Sequence, residues 1–179
     1  PENAIRSYPI NALGLTSYDN ITANGKNGIN SGATTDAEGE ASLTIKELTL
    51  NISATVNDAI NAEQLLSIES GTLNISAADD AVHSDLVLNI GADGTDGPTI
   101  NVSECCEGLE AAELNVLSGN ISIISSDDCL SAANSDLSNY DFSMNISGGT
   151  INAYSSEGDG FGRGDRPSGD PPRKSTSKA

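Results

Sequence analysis

Thr72-Leu73-Asn74-Ile75-Ser76-Ala77-Ala78-Asp79-Asp80-Ala81-Val82 is the stretch whose reading decides the fold. Its first half alternates strictly, so that Leu73 and Ile75 point to one face of a strand and Thr72 and Asn74 to the other. Its second half is a short phrase of acid, small residue and aliphatic residue. Both halves recur along the chain. The alternating strand returns as Thr49-Leu50-Asn51-Ile52, Thr99-Ile100-Asn101-Val102, Asn120-Ile121-Ser122-Ile123 and Thr150-Ile151-Asn152-Ala153. The phrase returns at Asn3-Ala4-Ile5, Asn27-Gly28-Ile29, Asp58-Ala59-Ile60, Glu107-Gly108-Leu109, Asp128-Cys129-Leu130 and Asp159-Gly160-Phe161.

The apolar anchors of these phrases lie 24, 31, 22, 27, 21 and 31 positions apart, a base period near 22 with insertions. A further apolar-alternating segment follows several anchors, as in Leu43-Thr44-Ile45, Leu66-Ser67-Ile68, Leu86-Val87-Leu88 and Met144-Asn145-Ile146. Each coil then holds three short strands joined by Gly, Asn, Asp and Ser corners. Strands this short cannot bury an inner face alone, whereas stacked coils pair each with its counterpart about 4.8 Å above and below. The spacing therefore predicts an all-β protein, a right-handed single-stranded parallel β-helix of six to seven coils over residues 1–161. The insertions Gly32 to Glu40, Gly91 to Pro98 and Asn134 to Phe142 are expected to bulge from one corner of this solenoid. Residues 162–179, rich in Pro, Gly, Ser and basic side chains, read as a tail or linker. The chain opens in mid-pattern at Pro1, which reads as a processed or truncated start.

Composition agrees with a narrow aliphatic core. There is no Trp, and the 179 residues include two Phe and four Tyr. The net charge of −18 is uneven: residues 1–161 carry three basic and 24 acidic side chains, or −21. Such a body repels nucleic acid and attracts cations. No apolar run is long enough to insert in a membrane. Cys105, Cys106 and Cys129 lack metal-site spacing; one disulfide to Cys129 and three buried free thiols both suit them.

The phrases Ala78-Asp79-Asp80-Ala81-Val82-His83-Ser84, Cys106-Glu107-Gly108-Leu109-Glu110-Ala111 and Ser126-Asp127-Asp128-Cys129-Leu130-Ser131-Ala132 resemble the turns of a carbohydrate-binding, pectate-lyase-like β-helix family. Ser147-Gly148-Gly149-Thr150-Ile151-Asn152 is similar to its strand motif. The resemblance covers about residues 56 to 161 well and 1 to 55 more loosely; it departs from the family's glycine at Ala59, Ala81 and Cys129, and has the Cys105-Cys106 pair where a Ser/Tyr pair is typical. It implies calcium binding and attachment to cellulose or acidic polysaccharide without lyase activity.

The stacking itself points to the same metal. Asp58, Asp80, Glu107, Asp128 and Asp159 would form one file, with Asn57, Asp79, Cys106 and Asp127 in the file beside it. Neighbouring carboxylates about 5 Å apart repel by a few kcal/mol, which protonation, splaying into water or a shared cation would relieve. Oxygen-only ligands with flexible geometry favour Ca²⁺ over Zn²⁺ or Mg²⁺. The expected ligands are Asp58, Asp79, Asp80, Glu107, Asp127 and Asp128; the competing reading makes these residues turn formers only.

No catalytic residues are expected. A uronate lyase needs a base beside its calcium, yet the coils contain only Arg6, Lys26 and Lys46, far in sequence from the acidic cluster. His83 follows its anchor where other coils carry Asn61, Glu110 and Ser131, and reads as an exposed coil residue. The sequence thus predicts a secreted or cell-surface protein that holds polysaccharide, acidic polymers included, through calcium and a Thr/Asn/Ser face. Aromatic residues are too scarce to suggest a stacking platform. The runner-up is a subunit of a filament that self-associates end to end through uncapped coils. Sequons at Asn20, Asn51, Asn74, Asn101, Asn120 and Asn145 would be glycosylated in a eukaryotic source, covering that face with glycan.

Overall fold

The computed structural model describes residues 5–7, 18–32, 42–156 and 161–163, and every element among them is a strand. In chain order these are β1 (Ile5–Ser7), β2 (Tyr18–Ala23), β3 (Ile29–Ser31), β4 (Ser42–Ile45), β5 (Leu48–Ala54), β6 (Ile60–Ala62), β7 (Leu65–Ile68) and β8 (Gly71–Ala77). They continue as β9 (Val82–Ile90), β10 (Thr99–Glu104), β11 (Leu109–Val116), β12 (Asn120–Ser125), β13 (Leu130–Ala132), β14 (Ser143–Ile146), β15 (Thr150–Ser155) and β16 (Phe161–Arg163). All pairings are parallel and link strands one coil apart, so the chain is a parallel β-solenoid.

The repeated phrases stack in the register their spacing predicts. Ile60 lies between Ile29 and Val82, and Leu109 between Val82 and Leu130. Leu73 lies between Leu50 and Ile100, with Ile121 beyond. Leu50, Leu73, Ile100 and Ile121 are all fully buried. Burying such a side chain contributes about 1.5–3 kcal/mol. Leu43, Leu66, Leu88 and Leu114 form a second buried file, continued by Met144 at the margin of the core.

Three expectations are corrected. The solenoid has about four turns rather than six to seven, counted between the five anchor strands whose side chains are described, β3, β6, β9, β11 and β13. Sequence period counts every anchor as a coil, but a coil needs its other strands too; beside the end anchors β1 and β16, residues 8–17 and 157–160 lie outside the described residues. The insertions use two corners, not one. Residues 32–41 and 133–142 separate an anchor strand from the second strand, whereas 91–98 separates the second strand from the outer sheet. In β9 and β11 the anchor and second strands run on without a corner, so an insertion in that coil has to take the next one. Finally, the buried member of the Leu86-Val87-Leu88 phrase is Leu88, and an unforeseen strand segment, Leu114-Asn115-Val116, stacks on it. Fusion of the first two strands also reduces three strand faces to two sheets, one of ten strands and one of six.

The corners have their own chemistry. Gly71 sits at φ 107, and a Cβ there would stand 2.3 Å from the Leu48 carbonyl oxygen of the coil below. Ser118 Oγ ties the 91–98 insertion down by accepting from Ala92 N and donating to Ala92 O. Asn134 does the same for the last insertion by donating to the Asp85 carbonyl at 2.8 Å. Most of the basic tail, residues 164–179, lies outside the described residues, as does Asp159.

Candidate functional site

Two features stand on this scaffold: an acidic corner and an uncharged groove. The corner arises because the anchor phrases stack backbone to backbone. Ala59 N donates to Asp80 O, Ala81 N to Glu107 O, and Gly108 N to Asp128 O, at 2.9 Å each. The neighbouring file is held likewise, Cys106 N to Asp79 O at 2.8 Å and Asp127 N to Cys106 O at 2.9 Å. Both expected files therefore exist as backbone.

Their side chains divide the expected ligands. Asp58, Asp79 and Asp80 converge, with carboxylate oxygens within 4.8 Å of one another. Burial, reinforced by the charge of Asp80, pushes the Asp58 carboxyl up to about 6. Asn61 donates to Asp58 Oδ2 at 3.2 Å, and its own Oδ1 is buried without a hydrogen-bond partner. Glu107 turns aside to Glu110, and neither it nor Asp127 or Asp128 joins a metal-capable cluster among the described residues. Stacked backbones place these carboxyls in one file, but each rotamer then answers to local partners.

His83 is the main surprise of the corner. It is not an exposed coil residue: its side chain is 18% accessible and faces three carboxylates. Nδ1 lies 3.1 Å from Asp80 and 3.4 Å from Glu110, while Nε2 lies 3.0 Å from Asp85. Burial alone would lower its pKa, but its hydrogen bonds to Asp80, Asp85 and Glu110 dominate and raise it to about 12. His83 is thus an imidazolium donating from both nitrogens, the resident counter-charge of this rung. Glu107 holds a proton well above the usual carboxylate range, through burial and its hydrogen bond to Glu110. Glu110 stays ionised because His83 and Glu107 both bond to it, against the cost of its burial.

The calcium expectation can be tested on these residues. Asp58, Asp79 and Asp80 supply close, oxygen-only, partly desolvated ligands, and a buried amide oxygen without a partner adjoins them. That donor set fits a hard cation. The His83 rung already carries its own positive charge. Cys105, Cys106 and Cys129 are free, and burial holds the Cys105 thiol up to about 12.

The groove lies on the outward face of the six-stranded sheet. Asn51 donates to Asn20 Oδ1 at 3.0 Å, Asn74 to Asn51 at 2.8 Å, and Asn101 to Asn74 at 2.9 Å, forming one amide ladder. Each of the two inner amides, Asn51 and Asn74, keeps one N–H and one lone pair for solvent or ligand. Thr49, Thr72 and Thr99 stack on one side of the ladder, Ser53 and Ser76 on the other. Between the Asn and Ser files runs a groove of about 340 Å³. Four of the sequon residues therefore belong to one hydrogen-bonded array, and Asn145 ends a second ladder by donating to Asn115 at 3.0 Å. Asn120 stands between Thr99 and Thr150. The sequence showed the shared register of Asn51, Asn74 and Asn101; Asn20 joins them, and their mutual hydrogen bonds follow from the rung spacing.

No helix among the described residues is long and apolar enough to cross a membrane. A family model described as "Carbohydrate-binding domain-containing protein" matches residues 17–160. No curated protein and no solved structure matches the chain. The family match spans both the acidic corner and the groove. The chain belongs to the carbohydrate-binding domain-containing protein family.

Proposed function

We propose that this protein is an extracellular, non-catalytic module that binds polysaccharide along the outward face of its six-stranded sheet. The observation that carries this reading is the uninterrupted Asn20–Asn51–Asn74–Asn101 amide ladder beside the groove. Its donors and acceptors repeat at the strand spacing of about 4.8 Å, so an extended chain of sugars lying along the solenoid meets equivalent groups at every rung. Family membership supports sugar as the ligand and a binding role. The ladder asparagines act here as ligands, and glycans attached to them would cover the face they form.

Calcium is part of the same proposal. Asp58, Asp79 and Asp80 would hold it, and its charge would relieve the repulsion of three close carboxylates and so stiffen the corner. The roles of these residues are to bind and to brace; the imidazole beside them, His83, is engaged by Asp80, Asp85 and Glu110. Affinity electrophoresis through gels containing neutral or acidic polysaccharide, with calcium or EGTA, tests the reading. Retardation by a polysaccharide, lost on Asn74→Asp, is the expected result; migration unaffected by every polymer would overturn it.

A further inference from the structure

We infer that Tyr154 and Ile124 form an apolar step in the groove's path on which one sugar ring of a neutral glycan stacks; the inference rests on the carbohydrate reading and adds the residues that set its affinity. The Ser file beside the amide ladder runs Ser53 and Ser76 in register; at the next rung a bulge turns both Ser103 and Glu104 outward, and the rungs after it change character. The next two rungs place Ile124 and Tyr154 opposite each other, in register. Both face outward by the alternation of their strands, whose inner positions are taken by Ile121, Ile123 and Ile151.

Their exposure is high for apolar side chains, 51% for Ile124 and 65% for Tyr154. Of the large exposed apolar residues among those described, these are the two that pair across adjacent strands. Serine would satisfy strand geometry at both positions, as it does in the rungs before. An aromatic ring in contact with water, in a chain with so few, is better explained by something that covers it.

The neighbouring chemistry selects the occupant. A pyranose ring is amphipathic: hydroxyls around its rim, C–H groups on its face. The rim fits the Asn and Ser files, and the C–H face fits the phenol ring of Tyr154. Among the described side chains of this face the one carboxylate is Glu104, paired with Ser76 in the file beside the groove, and there is no cation. A uronate would therefore meet repulsion from a chain of charge −18 and find no counter-charge there, whereas a neutral sugar meets neither problem. A protein partner fits less well, because two side chains cover far less than the roughly 1,000 Å² a specific interface needs.

The test uses the whole chain in affinity gels and titration calorimetry with soluble β-glucan, mannan, xylan and polygalacturonate. Variants are Tyr154→Ala, Tyr154→Phe, Ile124→Ser and, as an exposed apolar control away from the face, Val56→Ser. Circular dichroism melting checks that each is folded. The expected result is binding of a neutral polymer by the native chain, weakened roughly ten-fold by Tyr154→Ala. Tyr154→Phe and Val56→Ser should retain it. Native binding that survives Tyr154→Ala overturns the stacking step and leaves the carbohydrate reading intact. No retardation of the native chain by any polymer overturns both. Concentration-dependent dimerisation lost in Tyr154→Ala, with glycan binding unchanged, would assign the patch to a second copy and overturn the step.

Discussion

Asn74 donates its side-chain amide to Asn51 Oδ1 at 2.8 Å and accepts from Asn101 at 2.9 Å, so it is an inner rung of a ladder of four asparagines. Replacing it touches both neighbours at once. Asn74→Asp removes the donor toward Asn51 and puts a negative charge between two amides. The expected loss is about 1–2 kcal/mol, the worth of one or two solvent-exposed hydrogen bonds, measured by urea unfolding. Glycan affinity should fall by more than stability does, because the ligand loses a rung as well.

His83→Gln should cost considerably more. Its imidazolium bonds to Asp80, Asp85 and Glu110, and glutamine leaves this partly buried rung without its cation. Losing one partner of a buried ion cluster destabilises by about 3 kcal/mol or more. Lys46→Ala makes the contrast: its bridge to Glu69 is 3.2 Å long but both side chains are well exposed, so a change below about 1 kcal/mol is expected. Equal losses in the two variants would show that His83 is not the counter-charge described above.

The acidic corner predicts a pH dependence with a definite sign. Asp58 has a folded pKa raised to about 6, so the folded state binds its proton more tightly than the unfolded chain does. Its contribution is complete below the unfolded value near 3.9 and is lost as pH rises through about 6. Glu107 is raised as well and acts in the same direction, whereas Glu110, lowered, loses its contribution as pH falls. In EGTA the protein should therefore melt at a lower temperature at pH 7.5 than at pH 5. Calcium should raise the melting temperature more at pH 7.5, by up to about 3 kcal/mol of stability at a hundred-fold excess over its Kd. A calcium effect independent of pH, or absent from the native chain and from Asp79→Asn alike, would remove the corner as the binding site.

Core truncation tests the stacking itself. Leu73 is fully buried between Leu50 and Ile100, and Leu73→Ala should cost about 2–5 kcal/mol. The outward neighbour Thr72, half-buried at the same strand, should tolerate alanine within about 1 kcal/mol. Comparable losses at the two positions would mean that the strand does not present alternate faces to core and solvent.

Much of this architecture is legible in the residues because a solenoid converts sequence period directly into spatial register. The pairs Ile60 with Val82, Thr72 with Thr99 and Leu109 with Leu130 follow from spacing alone, since each strand stacks on its own copy. The count of turns and the corners used by the insertions were not legible. They depend on whether a coil keeps three strands or fuses two, as in β9 and β11, and nothing in the period distinguishes these cases.

At the acidic corner the sequence by itself determined which backbones stack, and therefore that Asp58 and Asp80 are neighbours. Only the tertiary structure decided which carboxyls meet, because side chains longer than the rung spacing can choose among partners above, below and beside them. Asp79 joins Asp58 and Asp80, Glu107 leans to Glu110, and His83 turns inward to three acids that lie 2 to 27 positions away. Periodicity places a side chain on its file; desolvation and local charge then settle where its polar atoms go.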